Sequence, residues 1–294
     1  MGSHVITESA PGMGSSQQAR TRALVIPREH GAWGLLLVPL FTGLAVGLAS
    51  VPKGWPVFLF TVAALSLFWL RTPVESLLGT TALSAQTSAE RRIALLASLG
   101  LAALSGICLA GLLWGGRNFE LWLIGAAGAG AFIAQTLLKQ IGRNFRMPAQ
   151  IVGSIGLTCT APAAYYLATG QLDRTAWLLW AANWIFAGDQ IHFVQLRIHA
   201  ARAATLREKF TRGRSFFLAQ ALLVTVLVIA GFERWIPALV TLAFLPALAR
   251  GFGWFFRPSQ PLQVRSLGWS EMRQGIAFGI VLAATLIISR CLSR

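Results

Sequence analysis

Charge of one sign is nearly missing from this 294-residue chain: Asp and Glu number 10 against 25 Lys and Arg, and the Asp are Asp173 and Asp189 alone. Charged residues of either sign make up 12% of the sequence, which excludes a soluble globular domain, whose share is about twice that. Cysteine is also scarce. Cys108, Cys159 and Cys291 lie far apart with no Cys-x-x-Cys pair, which excludes a disulfide framework and a thiolate metal centre. The first residues, rich in Gly, Ser, Gln and Ala, contain no apolar core of the kind a secretory signal peptide needs. Residues 1–26 therefore read as a disordered cytoplasmic tail. The net charge of +15 is not a nucleic-acid signature, because no basic run is interleaved with aromatics on a polar domain.

What the chain has in abundance is apolar sequence, 55% of residues with a mean hydropathy of +0.62. It comes in blocks long enough to cross, as helices, a hydrocarbon layer about 30 Å thick. Nine such blocks are expected: Trp33 to Ser50, Trp55 to Leu70, Ile93 to Trp114, Phe119 to Leu138, Ile151 to Ala168, Thr175 to Val194, Phe216 to Phe232, Trp235 to Phe256 and Ile276 to Leu292. The fold class is an all-α polytopic transmembrane bundle over 27–294. Its short loops carry Lys53, Arg117, Arg174 and Arg234, whereas the opposite loops hold most of the remaining Lys and Arg, including the cluster from Arg197 to Arg214. The positive-inside bias puts the N-terminus and the basic loops in the cytoplasm of a bacterial inner membrane, and the C-terminus on the other side. Trp33, Trp55, Trp114, Trp235 and Trp254 fall near span ends, where an amphipathic ring suits the headgroup layer.

A weak internal repeat adds to this. Lys139-x-x-Gly142-x-x-Phe145-Arg146 closes the fourth block and Arg250-x-x-Gly253-x-x-Phe256-Arg257 the eighth, each with a proline soon after. The expectation is two four-helix units in the same orientation plus a ninth helix. Gly43-x-x-x-Gly47 and Gly125-Ala-Ala-Gly128-Ala-Gly130 read as close-packing helix surfaces rather than nucleotide loops.

Ionisable groups inside a bilayer are costly and point to a cavity or a protein interior. The sixth block concentrates them: at 100° per residue Asn183, Gln190 and Arg197 share one stripe, with Asp189, His192 and His199 on the next. As a cavity wall this face offers an acid, an imidazole and amides; as packing, it pairs Asp189 with an Arg and bridges helices through the amides. Arg28, Glu29 and His30 open the first block, and Arg71 with Glu75 leave the second. Arg71, Lys139, Arg143 and Arg250 form an expected ring of cations around a cytoplasmic mouth, suited to phosphate or carboxylate. His30 and His192 leave bis-imidazole haem ligation as a minor alternative.

The segment Ile26-Pro-Arg-Glu-His-Gly-Ala-Trp-Gly-Leu-Leu-Leu-Val-Pro-Leu40, followed by Thr42-Gly43, resembles the YwiC-like family of bacterial integral membrane proteins. That resemblance implies a membrane fold and no particular activity. The span arrangement also looks like that of UbiA-type prenyltransferases, with nine helices, two related four-helix units and functional loops after spans two and six. In that superfamily Asp-rich motifs hold Mg²⁺ against a prenyl diphosphate. Here the second block ends with Arg71 and Glu75 in place of such a motif, and the sixth carries Asp189 alone. Two carboxylates are too few for the usual pair of Mg²⁺ ions, so the cofactor stays open.

The leading expectation is a protein that binds, and in an enzymatic version modifies, an anionic isoprenoid or lipid in a cavity open to the cytoplasm. Asp189, assisted by His192 and with Glu75 as the second carboxylate, would be the catalytic groups. Arg28, Glu29, His30, Arg71, Lys139, Arg143, Asn183, Gln190, Arg197 and Arg250 would bind substrate. The alternatives are a transporter or a non-enzymatic membrane subunit.

Overall fold

The structure, a computed structural model, describes residues 13–26, 30–50, 54–80, 83–114, 119–142, 145–258 and 262–292. Helices follow one another along these segments, and none of the described residues is in a β-strand. They are α1 (Met13–Val25), α2 (His30–Leu48), α3 (Gly54–Leu78), α4 (Ser88–Trp114), α5 (Phe119–Ile141), α6 (Arg146–Thr158), α7 (Thr160–Thr169), α8 (Arg174–His199), α9 (Leu206–Phe232), α10 (Leu245–Phe256) and α11 (Val264–Leu292). A 3₁₀ segment, Ala238–Phe244, precedes α10.

By length and composition, 7 helical stretches among the described residues are apolar enough to cross a membrane: Gly54–Leu78, Ser88–Trp114, Phe119–Ile141, Arg146–Thr169, Leu206–Phe232, Ala238–Phe256 and Arg265–Leu292. Trp33–Leu48 is apolar but shorter. Helix α8 is long enough, at 26 residues, yet stands outside that set. Its Asn183, Asp189 and Gln190 lower its apolarity, and all three are buried against protein. The chain is an integral, multi-pass membrane protein.

The described chain falls into two compact units, residues 1–28 with 62–108, and residues 29–61 with 109–294. In the first unit, helix α1 lies within the stretch expected to be a tail, whose residues 1–12 are outside the described residues. Ala23 and Leu24 are buried, Arg20 Nε pairs with Glu90 Oε1 at 2.6 Å, and Trp69 Nε1 donates to Val25 O at 2.8 Å. The start of α4 is fixed by a reciprocal cap: Thr87 Oγ1 accepts from Glu90 N at 3.1 Å while Glu90 Oε2 accepts from Thr87 N at 3.2 Å.

In the second unit, α2 packs against α7 and α11. A side chain at Gly43 would run into the Ala161 carbonyl, and one at Gly47 would come within 2.8 Å of Ala168 Cβ, so Gly43-x-x-x-Gly47 is a helix contact. Gly128 sits against Cys159 Sγ and joins α5 to α6, whereas Gly125 and Gly130 face open space, a narrower contact than the expected glycine-rich surface. The core between α8, α11 and the 3₁₀ segment contains Phe186 and Phe278, stacked 3.9 Å apart, with Phe244 edge-on at 5.2 Å.

Two of the expected blocks are broken. Residues 151–168 are divided between α6 and α7 at Cys159, three residues before Pro162, whose ring excludes the carbonyl four positions earlier and which has no N–H to donate. Within residues 235–256 the helical structure begins only at Ala238, as a 3₁₀ segment, and becomes α-helical at Leu245, beside Pro246 in the first turn of α10. The repeat also differs in backbone. Lys139 closes α5, with Gly142 following at φ 151°, while Arg250 and Gly253 both lie inside α10.

Candidate functional site

Helix α8 supplies the first side chains. Asp173 caps it by accepting from Thr175 N at 2.8 Å and Ala176 N at 3.2 Å, and also accepts from Tyr165 OH at 3.0 Å. From that anchored end the helix runs through Asn183 to the polar inner half. Asn183 Nδ2 donates to Thr42 Oγ1 at 3.0 Å and to Leu179 O at 2.8 Å, so it ties α8 to α2. Gln190 Nε2 donates to the Glu271 carbonyl at 2.8 Å and ties α8 to α11. Both amides bridge helices, the packing role weighed for them from sequence.

Asp189 is the centre of a buried cluster drawn from four helices. Gln220 of α9 donates to Asp189 Oδ1, and Arg250 of α10 donates through Nη2 to Asp189 Oδ2 at 2.7 Å. The other terminal nitrogen of Arg250 pairs with Glu271 Oε2 of α11. The side chains of Asp189, Arg250 and Glu271 are 4%, 8% and 7% exposed, so one guanidinium serves two carboxylates away from bulk water. Arg250 also lies over the Phe193 ring, 4.2 Å from its centroid. Within this cluster Gln220 Oε1, Arg250 Nε, Glu271 Oε1 and nearby Gln274 Oε1 are buried without a hydrogen-bond partner.

Arg250 borders a cleft of about 430 Å³ whose wall includes Phe193, Arg197, Lys209, Trp254, Arg257, Pro258, Leu262, Gln263, Ser266, Leu267 and Ser270. Among the described residues four cationic side chains line it and no carboxylate does. Lys209 is fixed at its edge: Nζ donates to Trp254 O at 3.3 Å and to Arg257 O, 5.3 Å from the Trp254 ring centroid. Helix α9 starts correctly for this because Thr205 and Glu208 form a capping box, with Thr205 Oγ1 accepting from Glu208 N at 3.2 Å. Gly213 lets Phe255 and Leu196 close over α9, since a Cβ there would come within 2.8 Å of the Phe255 ring.

Of the residues singled out from sequence, Asp189, Gln190, Arg197 and Arg250 come together here. His192 stands beside them, its Nε2 3.4 Å from Ser215 Oγ and its ring edge-on to Phe216. Arg71 and Glu75 pair with each other at 3.0 Å, i to i+4 along α3, in the other unit. Lys139 ends α5 and does not line the cleft. Arg28, Glu29 and Arg143 lie outside the described residues, as does the side chain of His30, whose backbone opens α2. His199 Nδ1 lies 2.8 Å from Gln195 O, one turn back on its own helix.

Gln220 and Glu271 have no place in the sequence reading, and Lys209 and Arg257 figure there as basic loop and repeat residues without being singled out for the site. The expected ninth block begins at Ile276 and puts Glu271 before it; α11 instead begins at Val264. A signal was present. Glu271, Gly275 and Gly279 are spaced four apart, one face of a helix, and in the structure Gly275 and Gly279 both face Val38 of α2.

Comparison with known families bears on the first half of the chain. Residues 26–165 match the model of the YwiC-like protein family. Over these residues the chain is YwiC-like. The match takes in α2 to α6 and ends within α7, so the Asp189 cluster and the basic cleft lie beyond the YwiC-like segment. Comparison with curated proteins and with solved structures gives no match.

Among the described residues no three His, Cys, Asp or Glu side chains gather to hold a metal ion. Asp189 and Glu271 are both committed to Arg250, and Glu75 to Arg71. This donor set does not fit the Mg²⁺ pair that the prenyltransferase resemblance implies.

Proposed function

We propose that this chain is a bacterial inner-membrane protein that binds the anionic head group of an isoprenoid or other lipid in the Arg197–Lys209–Arg250–Arg257 cleft, open to the cytoplasm. The observation that carries the reading is the concentration of four cations around one cleft with no lining carboxylate among the described residues. Arg presents a planar fork to phosphate or carboxylate and Lys a point charge, so together they suit an oxygen-rich anion. Phe193, Trp254, Leu262 and Leu267 supply an apolar wall for the adjoining chain of an amphiphile. A nine-span, UbiA-like arrangement fits if α2 and α8 cross the membrane with the seven apolar stretches, and the basic loops favour the cytoplasmic placement.

Any chemistry on the bound molecule would fall to groups at the cleft floor, with Arg250 stabilising developing negative charge. No metal-assisted step is part of the proposal. Mass spectrometry of lipid retained by the detergent-purified protein tests the reading. An acidic prenyl or lipid species is expected on the wild type and strongly depleted from Arg197→Ala and Arg257→Ala. Identical bulk phospholipid on all three proteins would refute the cleft as a binding site.

A further inference from the structure

Arg250 belongs to two places at once. It lines the basic cleft, and among the described residues it is the guanidinium paired directly with the buried carboxylates Asp189 and Glu271, with Arg197 acting on Glu271 from farther off in the cleft wall. With both carboxylates ionised, the triad carries one negative charge in excess in a region from which water is largely removed, an expensive arrangement. An anion that engages Arg250 from the cleft adds another negative charge to the same guanidinium. Like charges so close cannot all stay ionised, and the least costly relief is a proton on one carboxylate.

We infer that the cleft takes up its anion together with a proton, which the Asp189–Glu271 pair receives when the anion engages Arg250. The inference rests on the cleft reading above and adds the proton as a second ligand. Hydrogen-bond accounting supports it independently. Glu271 Oε1, Gln220 Oε1 and Gln274 Oε1 are buried acceptors without a partner against a single unpartnered buried donor, Arg250 Nε, so among the described residues acceptors are in excess, while both oxygens of Asp189 and Oε2 of Glu271 are engaged. A carboxylic O–H on Glu271 would supply the kind of donor that these oxygens lack. The step is an association: a proton from water forms an O–H bond on a carboxylate oxygen, and no electron is transferred.

The other ionisable groups around the pair are few. On α8 they are His192, beside Ser215, and Arg197 in the cleft wall; on α9, Lys209, committed to the Trp254 and Arg257 carbonyls. Arg257 closes α10, Arg265 and Arg273 of α11 are exposed, and the described side chains of α2 include no ionisable group. Among the described residues of these helices Asp189 and Glu271 are the buried acids; His192 is the other group able to take up a proton near neutral pH, and the double variant below, which keeps it, separates the two.

The test is calorimetry on the full-length protein in zwitterionic lipid nanodiscs, titrated with geranyl sulfate, a probe whose single charge is constant near neutral pH. Measurements in two amine buffers of different ionisation enthalpy give the number of protons taken up. Wild type is expected to take up close to one proton per anion. Its Kd should tighten up to about tenfold for each unit fall in pH. The double variant Asp189→Asn, Glu271→Gln is expected to bind without proton uptake and with a Kd independent of pH. Binding by wild type without proton uptake, or uptake unchanged in the double variant, would overturn the coupling and leave the cleft reading standing. Heats no different from empty nanodiscs would overturn both. The wild-type titration decides the matter even if the double variant does not fold.

Discussion

At Arg250 two carboxylates compete for one guanidinium, and the consequence for stability follows from what each deletion leaves behind. Removing the cation leaves Asp189 and Glu271 buried without it, whereas neutralising the whole triad leaves no uncompensated charge. Arg250→Met alone is expected to lower stability by about 3–5 kcal/mol, and the triple variant with Asp189→Asn and Glu271→Gln to recover most of that loss. Thermal unfolding in a mild detergent, followed by size-exclusion chromatography, measures both. Glycines allow a second comparison. Gly43→Ala would press a methyl group against the Ala161 carbonyl and is expected to cost about 1–3 kcal/mol. Gly100→Ala meets nothing within 4 Å and gains helix propensity, so its unfolding temperature should be unchanged or raised.

Helices present these residues, and their ends decide how accurately. Helix α9 places Lys209 one turn inside its N-terminus, directly after the Thr205–Glu208 capping box. Thr205→Ala is expected to cost about 1 kcal/mol and to fray that first turn. Faster amide hydrogen exchange at residues 206–209, with α9 beyond residue 216 unaffected, is the outcome to look for. The element scale is also where sequence and structure part most clearly. Apolar run length placed the helices but passed over the breaks at Cys159 and Leu245, because proline effects on backbone hydrogen bonds do not alter hydropathy. It also starts α11 too late, at Ile276 instead of Val264. Ser270, Glu271 and Arg273 look like loop residues until the packing of Gly275 and Gly279 shows that the same helical face continues through Glu271.

For the whole molecule, an odd number of crossings places the two termini on opposite sides. In a background lacking Cys108, Cys159 and Cys291, a cysteine at Ser15 should react with a membrane-impermeant thiol reagent only after permeabilisation, and one at Ser293 in intact cells. Equal accessibility of both would leave an even number of crossings and exclude the nine-span arrangement. The sequence by itself determined the membrane class, the approximate positions of the helices and the polar character of α8. These are local quantities, set by the composition and period of neighbouring residues. It also singled out Asp189, since an acid in an apolar block stands out wherever it packs. Only the tertiary structure decided that Asp189 meets Gln220 and Arg250, that Arg250 also holds Glu271, and that Arg197 and Arg250 share a cleft with Lys209 and Arg257. Those pairings join residues tens of positions apart on different helices, and the side chain that reaches a given cation is chosen by how the helices pack.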